Sequence, residues 1–491
     1  MKKLILFLTS LFAIHSTLHA QCPSAQFSAL GTVCAGVPIS ISNTSTGAVD
    51  YFWDFCAGDF DSLVTDTNDA SGFLNTPSGI TPVVDASGRY VFVCSRGDDK
   101  IVRYDYGNGW DSPPTLVTDL GNILGQIASP NGIAFYRESS VWYALVLSVF
   151  NNTMTKLDFG NGLDAMPTAA AVIVNSNLNF PRGIDIGVDG SGNIIAVISN
   201  FIGSSLTSVN FGNSINNVPT VGTPFALAGA GAIDVAVVKE CGNWYALASC
   251  YSSNEIYLVD FGNSLANTPV NSQSLFTGLA NPSGVSVARD NDNWYVLASN
   301  STNGKVVVQN IGNSFSTPTP VLSGEVELGG GNPAGINLMR EASDWYAFVS
   351  MEATNAYKKI NFRNVCAVNT ITLTDPTPAN IIFSSGGTYH VSLEATDASG
   401  NTDYFSQAVP VFIAPVTNFA VTGNCIGDQS IFIDSTFLSA GSIISWHWDF
   451  GNSDTSNIPN PIYTYPDTGQ YLITLTTVAN NGCSDAISIP F

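Results

Sequence analysis

One feature restricts the fold of this chain more than any other: a unit of about 50 residues recurs six times. A turn-like Pro-x-Gly followed by Ile or Val stands at Pro77-Ser78-Gly79-Ile80, Pro130-Asn131-Gly132-Ile133, Pro181-Arg182-Gly183-Ile184, Pro282-Ser283-Gly284-Val285 and Pro333-Ala334-Gly335-Ile336. A degenerate copy, Ala230-Gly231-Ala232-Ile233, fills the gap, and successive glycines lie 53, 51, 48, 53 and 51 residues apart. A second marker keeps the same beat, from Asp105-Tyr106-Gly107-Asn108 to Asn310-Ile311-Gly312-Asn313, with a sixth copy at Asn361 that has lost its glycine. Between the two runs an aromatic-led apolar strand, as at Trp142-Tyr143, Trp244-Tyr245, Trp294-Tyr295 and Trp345-Tyr346.

Each period has room for four short strands, which is one propeller blade, and radial packing of blades protects sheet edges that would otherwise pair with other chains. The expected fold class is all-β, with a six-bladed β-propeller over 57–365. The segment Asp61–Asp66 resembles Thr115–Asp119 of the first unit although it precedes the first Pro-x-Gly. Leu63 to Thr65 is therefore expected to complete the sixth blade and lock the ring. The Asp or Asn at 105, 158, 210, 260, 310 and 361 stands before a Gly-Asn turn, where a local side-chain to backbone bond is expected rather than calcium.

Residues 1–20 have Lys2 and Lys3, an apolar run from Leu4 to Ile14, and the ending Leu18-His19-Ala20, the layout of a secretory signal peptide. No later stretch is apolar for the ~20 residues a membrane helix needs, so a secreted or outer-surface location with no transmembrane segment is expected. The formal net charge of −22 disfavours nucleic acid as a partner, because phosphate backbones would be repelled.

The C-terminal segment carries Trp446-His447-Trp448-Asp449-Phe450-Gly451, then Gly469-Gln470-Tyr471 and Cys483. At these residues it resembles the PKD family of Ig-like β-sandwiches, over 415–491. The same markers occur a second time far apart, as Tyr51-Phe52-Trp53-Asp54-Phe55 and Gly387-Thr388-Tyr389. This implies a first PKD-like sandwich made of 22–56 and 366–413, with the whole ring inserted in one of its loops; exposed loop tips tolerate such insertion. The ring resembles NHL-type and lactonase-type propellers through its Pro-x-Gly turns. The combination is similar to secreted and cell-surface PKD proteins of Gram-negative bacteria, in which a further sorting domain would follow the last strand read here.

Four histidines exist, none in the ring, which removes Ser-His-Asp and Cys-His nucleophiles there. The residue after each Pro-x-Gly-Ile/Val belongs to the innermost strand and is Thr81, Ala134, Asp185, Asp234, Ser286 or Asn337. Five of these are polar, so the axial tunnel is expected to be wet, and Thr81, Asp185, Asp234, Ser286 and Asn337 are the candidate ligand residues. No cofactor is expected; the lactonase resemblance implies that a divalent metal such as calcium is the ion the ring could take, through Asp185, Asp234 and Asn337. The expected function is not enzymatic: a binding or adhesion-type module whose propeller face takes a protein or a glycan while the sandwiches act as spacers. A calcium-dependent lactonase-like hydrolase and a non-binding structural component are the alternatives.

All nine cysteines follow the leader, and export permits disulfides. The PKD resemblance implies a Cys425–Cys483 bond. Cys34 is expected to use nearby Cys22, and Cys56 to join Cys366 across the base of the insertion. Cys94, Cys241 and Cys250 are expected to be free.

Overall fold

The second strand of each unit is apolar through its middle and is buried on both faces, as in Ile194–Asn200. Such strands belong in the middle of a sheet that is itself packed between two others. The computed structural model describes residues 22–491 apart from 29, 63–64, 72, 363–367, 370–372, 424 and 426; the leader, Leu63, Val64 and Cys366 lie outside the described residues. Six antiparallel sheets follow one another around a ring. Blade one is Pro77–Val84, Arg89–Ser95, Lys100–Gly107 and Leu116–Gly121. Blades two to five occupy 130–174, 181–226, 232–277 and 282–327. Blade six is Pro333–Glu341, Asp344–Met351, Ala356–Phe362 and, from the far end of the chain, Thr65–Ser71.

The closing strand therefore lies further along than Leu63 to Thr65. Its register is set by its partner, with Thr65 opposite Phe362 and Ser71 opposite Ala356. A four-residue helical turn, Asp59–Ser62, occupies the chain just before it. Core clusters sit between blades rather than within them: Phe92, Ile133 and Val146 join blades one and two, and Tyr104, Phe348 and Tyr357 join one and six.

The Pro-x-Gly glycines mark where neighbouring first strands meet around the axis. A Cβ on Gly132 would stand 2.5 Å from the Arg182 carbonyl, and one on Gly335 would stand 2.7 Å from the Ser78 carbonyl across the closure. The second marker closes local turns. Oδ1 of Asp105, Asp158, Asn210, Asp260 and Asn310 each accepts the N–H two residues on, at 2.7–2.8 Å, and the glycine there has φ between +63° and +84°. Asp260→Ala is expected to lower stability by about 1 kcal/mol, read as a shift in denaturant midpoint at unchanged slope.

Outside the ring, Asp50–Asp54 pairs with Gly387–Thr396, and the sheet continues through Thr402–Phe412 to Val33–Cys34. Trp53 and Tyr389, 336 residues apart, lie in one core with Phe27, Val391 and Val409. A second sandwich packs Phe419, Phe432, Trp448, Phe450 and Leu475 between Phe419–Thr422, Ser430–Asp434 and Ile462–Tyr463 on one side and a four-stranded sheet on the other.

Two of the expected disulfides are replaced by others. Cys34 bonds Cys483 and Cys22 bonds Cys241, with Cα separations of 5.7 and 5.0 Å. Cys425 is free and exposed, and Cys241 is not free. The reason is docking between units. Val33–Cys34 runs parallel to Val411–Phe412, the stretch leading into the second sandwich, and Cys483 Sγ lies 3.9 Å from the Phe412 carbonyl. Cys241 sits in the turn between the first two strands of blade four, on the face where the first sandwich rests. Cys94 and Cys250 are free and buried, and Cys56 is disulfide-bonded.

Candidate functional site

All six positions singled out on the innermost strands line one axial cavity of about 740 Å³. Alternation along a strand accounts for this, since the residue that follows the buried Ile or Val turns to the axis. Three of these side chains also tie blades together. Thr81 Oγ1 donates to the Ile133 carbonyl at 2.6 Å. The Asp185 carboxylate accepts N–H groups from Ile186 and, one blade on, from Val237, both at 2.8 Å. Asp234 does the same with Val235 at 2.9 Å and Val285 at 3.0 Å. Burial pushes the Asp185 carboxyl up to about 6 and Asp234 to about 7, against the N–H groups that pull both down. Ser286 and Asn337 line the same wall.

The sequence reading missed a ring of fully buried serines near the ends of the second strands: Ser95, Ser148, Ser199, Ser249, Ser299 and Ser350. Ser199 Oγ accepts the Gly183 N–H at 2.9 Å, and Ser350 Oγ donates to the Ser78 carbonyl, holding blade six to blade one. Their spacing of 50–53 residues is a signal that could have revealed them.

It also missed the mouth of the tunnel. In an antiparallel blade the start of the first strand and the end of the second lie on the same side, and there the cavity is framed by Arg96, Asn131, Arg182, Phe201, Tyr251 and Glu352. Arg96 Nη2 is 2.7 Å from Glu352 Oε1. The Arg182 guanidinium stands over the rings of Phe180 and Phe201, 4.9 and 5.6 Å from their centroids. In the amide orientation that satisfies both groups, Asn131 accepts from Arg182 Nη1 at 3.0 Å. Burial and the nearby charge of Arg96 lower Arg182 to about 10, with Glu352 opposing. Each of these residues occurs in a single blade, so no repeat pattern announces it.

The same side carries exposed apolar side chains in its connections: Phe73, Leu124, Phe150 and Ile202 are 51–71% exposed. The rings of Phe150, Phe180 and Phe201 form a row, with centroids 5.8 and 6.2 Å apart. Met166 and Val218 stay exposed in the connections of the opposite face at blades two and three, but over blades four to six that face is occupied. There the first sandwich meets the turns of blades four, five and six through Lys239 to the Ser399 carbonyl at 3.0 Å, Ser406 to Asn291 at 2.6 Å and Arg340 to Asp54 at 2.6 Å. His447, in the second sandwich, is exposed, and His390, in the first, is half-buried. Among the described residues no group of three His, Cys, Asp or Glu is placed to hold a metal, and no helix is long and apolar enough to cross a membrane.

Comparison with known proteins bears on the second sandwich first. Residues 414–489 match the family model described as PKD domain. The chain carries a C-terminal PKD domain. Over 75 residues the chain is 40% identical to a pre-pro-metalloprotease, PrtV, of Vibrio cholerae; the match spans 15% of this chain and 8% of that protein's length. A solved PKD1 domain from the same metalloprotease is 34% identical, with a TM-score of 0.15, covering 16% of this chain and 95% of that one. At larger coverage the chain is similar to an aldose sugar dehydrogenase of Streptomyces coelicolor, at 14% identity and a TM-score of 0.40, over 60% of this chain and 98% of that one. The PKD domain holds none of the tunnel residues; it joins the first sandwich through Cys34–Cys483.

Proposed function

We propose that this is an exported binding protein that takes a protein or glycan ligand on the open face of its ring, with the two sandwiches holding that face away from their own attachment side. The observation that carries the reading is the contrast between faces. One is covered over blades four to six by the first sandwich and pinned by Cys22–Cys241, while the other presents a cavity mouth with Arg182 at its edge and Phe73, Leu124, Phe150 and Ile202 exposed in its connections. Exposed apolar side chains around an open cavity mouth mark an interaction surface more often than scattered ones do. A disulfide network linking all three units suits an oxidising, extracellular setting.

The lactonase-like alternative finds less support in the geometry. Both oxygens of Asp185 and of Asp234 accept backbone N–H groups and act as ties between blades. A metal would have to share those oxygens.

Glycan arrays and pull-downs from the producing organism's surroundings, made with the full secreted chain, test the proposal. Saturable binding is expected, and Leu124→Asp with Phe150→Asp should abolish it without changing the unfolding free energy by more than about 1 kcal/mol, since surface sites are tolerant. Binding that ignores both substitutions would place the ligand elsewhere.

A further inference from the structure

Two guanidiniums stand at the tunnel mouth and one carboxylate answers them. Glu352 bonds Arg96, and among the described residues no carboxylate pairs with Arg182. The Nε of Arg182 is buried with no hydrogen-bond partner among them. A half-buried, uncompensated cation is costly. Arg103 and Arg137 also have no acid partner among the described residues, but of the three only Arg182 lines the cavity, where two aromatic faces and the Asn131 amide hold its guanidinium at the mouth. Resting on the reading of this face as the ligand surface, we infer that the mouth takes a carboxylate displayed on an apolar peptide segment of a partner protein, with Arg182 as its counter-ion.

The surroundings select the charge of the ligand. Asp185 and Asp234 line the same cavity and Glu352 stands at its edge, so a dianion such as a phosphate monoester would meet repulsion that a single carboxylate largely escapes. Guanidinium and carboxylate match in shape, and two parallel N–H···O bonds are available to them. The two aromatic faces beneath Arg182 keep the group planar and fixed, which lowers the ordering cost of binding.

The rim selects the scaffold. Beside the arginine, the exposed Phe150 packs on Phe180 and the exposed Ile202 follows Phe201 in the chain, and the exposed Asn151, Asn177 and Asn179 belong to the same connections; Leu124 and Phe73 are exposed in other connections of this face. Apolar peptide side chains gain from covering Phe150 and Ile202, and the peptide backbone finds hydrogen-bond partners in the neighbouring Asn side chains. The ligand's carboxylate could be an internal Glu or Asp or a chain terminus; both present the same group to Arg182.

The test uses the full secreted chain and an array of random apolar peptides in matched series. One series holds a single internal Glu and its twin holds Gln; another ends in a free carboxylate and its twin in an amide. Uronate-terminated and neutral oligosaccharides are included as further probes. Carboxylate-bearing peptides are expected to bind about tenfold more tightly than their neutral twins, a difference of about 1.4 kcal/mol. Arg182→Gln should erase that preference and Arg182→Lys should restore part of it, while Phe150→Ser weakens both twins alike. The two charged series separate an internal acid from a chain end. Equal binding of charged and neutral twins by the unaltered chain, or a preference that survives Arg182→Gln, overturns the inference but leaves the face as the ligand surface. Stronger binding of uronate sugars than of any peptide overturns it in favour of an acidic glycan, and binding of none of the probes overturns it outright. Peptide binding untouched by Phe150→Ser and Leu124→Ser would remove the face reading itself.

Discussion

Arg340→Met is expected to destabilise the chain by about 3–5 kcal/mol at pH 7.5, the usual loss when one partner of a buried ion pair is removed. Arg340 Nη2 lies 2.6 Å from Asp54 Oδ2, and the Asp54 side chain is 1% exposed. The guanidinium also rests 4.3 Å from the centroid of the Phe52 ring, so it ties the sandwich strand Asp50–Asp54 to the first strand of blade six by charge and by contact. Asp290 is buried nearby and receives the N–H groups of Gly58 at 3.0 Å and Phe60 at 3.3 Å. Without the arginine, Asp54 and Asp290 would face each other as buried like charges.

The pH dependence of that loss identifies its cause. Burial already holds the Asp54 carboxyl up at about 6, with Arg340 pulling it down and Asp290 pushing it up. Removing Arg340 raises it further, so Asp54 takes up a proton at neutral pH and the penalty shrinks as the solution is acidified. Urea unfolding of wild type and Arg340→Met should therefore differ more at pH 7.5 than at pH 5, and adding Asp54→Asn to the variant should recover most of the difference. A loss equal at both pH values would mean that contact with Phe52, rather than charge, is what Arg340 supplies.

The ring was legible in the sequence because a blade repeats the same physical demands. A glycine is needed wherever first strands approach too closely for a Cβ, and an Asx side chain wherever the third strand turns, so the series that holds Gly79 and Gly132 and the series that holds Asn210 and Asp260 each recur about every 50 residues and can be found by counting. The sandwich core was legible for a related reason, since Trp53 and Tyr389 keep the neighbours they would have in an uninterrupted domain. What depends on docking was not legible. Cys34 finds Cys483 only because the Val33–Cys34 strand lies beside the linker into the PKD domain, and no spacing within one domain encodes that. Arg182 escaped notice for the opposite reason to Gly183: it differs from Ser78, Asn131, Ser283 and Ala334 at the same place in the motif, and a reading built on likeness averages such a residue away.

The carboxylates of the ring lead to a second large effect: wild-type stability should peak on the acid side of neutrality and fall by a few kcal/mol between about pH 5 and pH 8. Asp185 and Asp234 have folded values of about 6 and about 7, above the 3.8 of an unperturbed aspartate. Between the two values the folded chain binds more protons than the unfolded one, so stability declines as pH rises through this window. Above about pH 7 both groups are ionised and the full penalty is present. At about 1.4 kcal/mol per unit of displacement, the two together set an upper bound of several kcal/mol, reduced by the water the tunnel admits. Asp85, Asp189 and Asp397 act in the other direction. Hydrogen bonds from neighbouring side chains and backbone N–H groups outweigh burial and hold them below the usual value. Their contribution is complete above the ordinary aspartate range and is lost only as pH falls below it. The sum is a maximum near the ordinary aspartate value, at about pH 4. Asp234→Asn removes the largest titrating penalty but leaves one N–H, of Val235 or Val285, facing an amide nitrogen. The variant should accordingly be less stable than wild type at pH 5, by about 1–3 kcal/mol, and should lose less on going to pH 8. Denaturant midpoints of the two chains across pH 4–8 decide it: parallel curves would show that Asp234 is not the group that titrates, and a wild-type curve rising toward pH 8 would show that neither tunnel carboxylate carries the penalty that burial imposes.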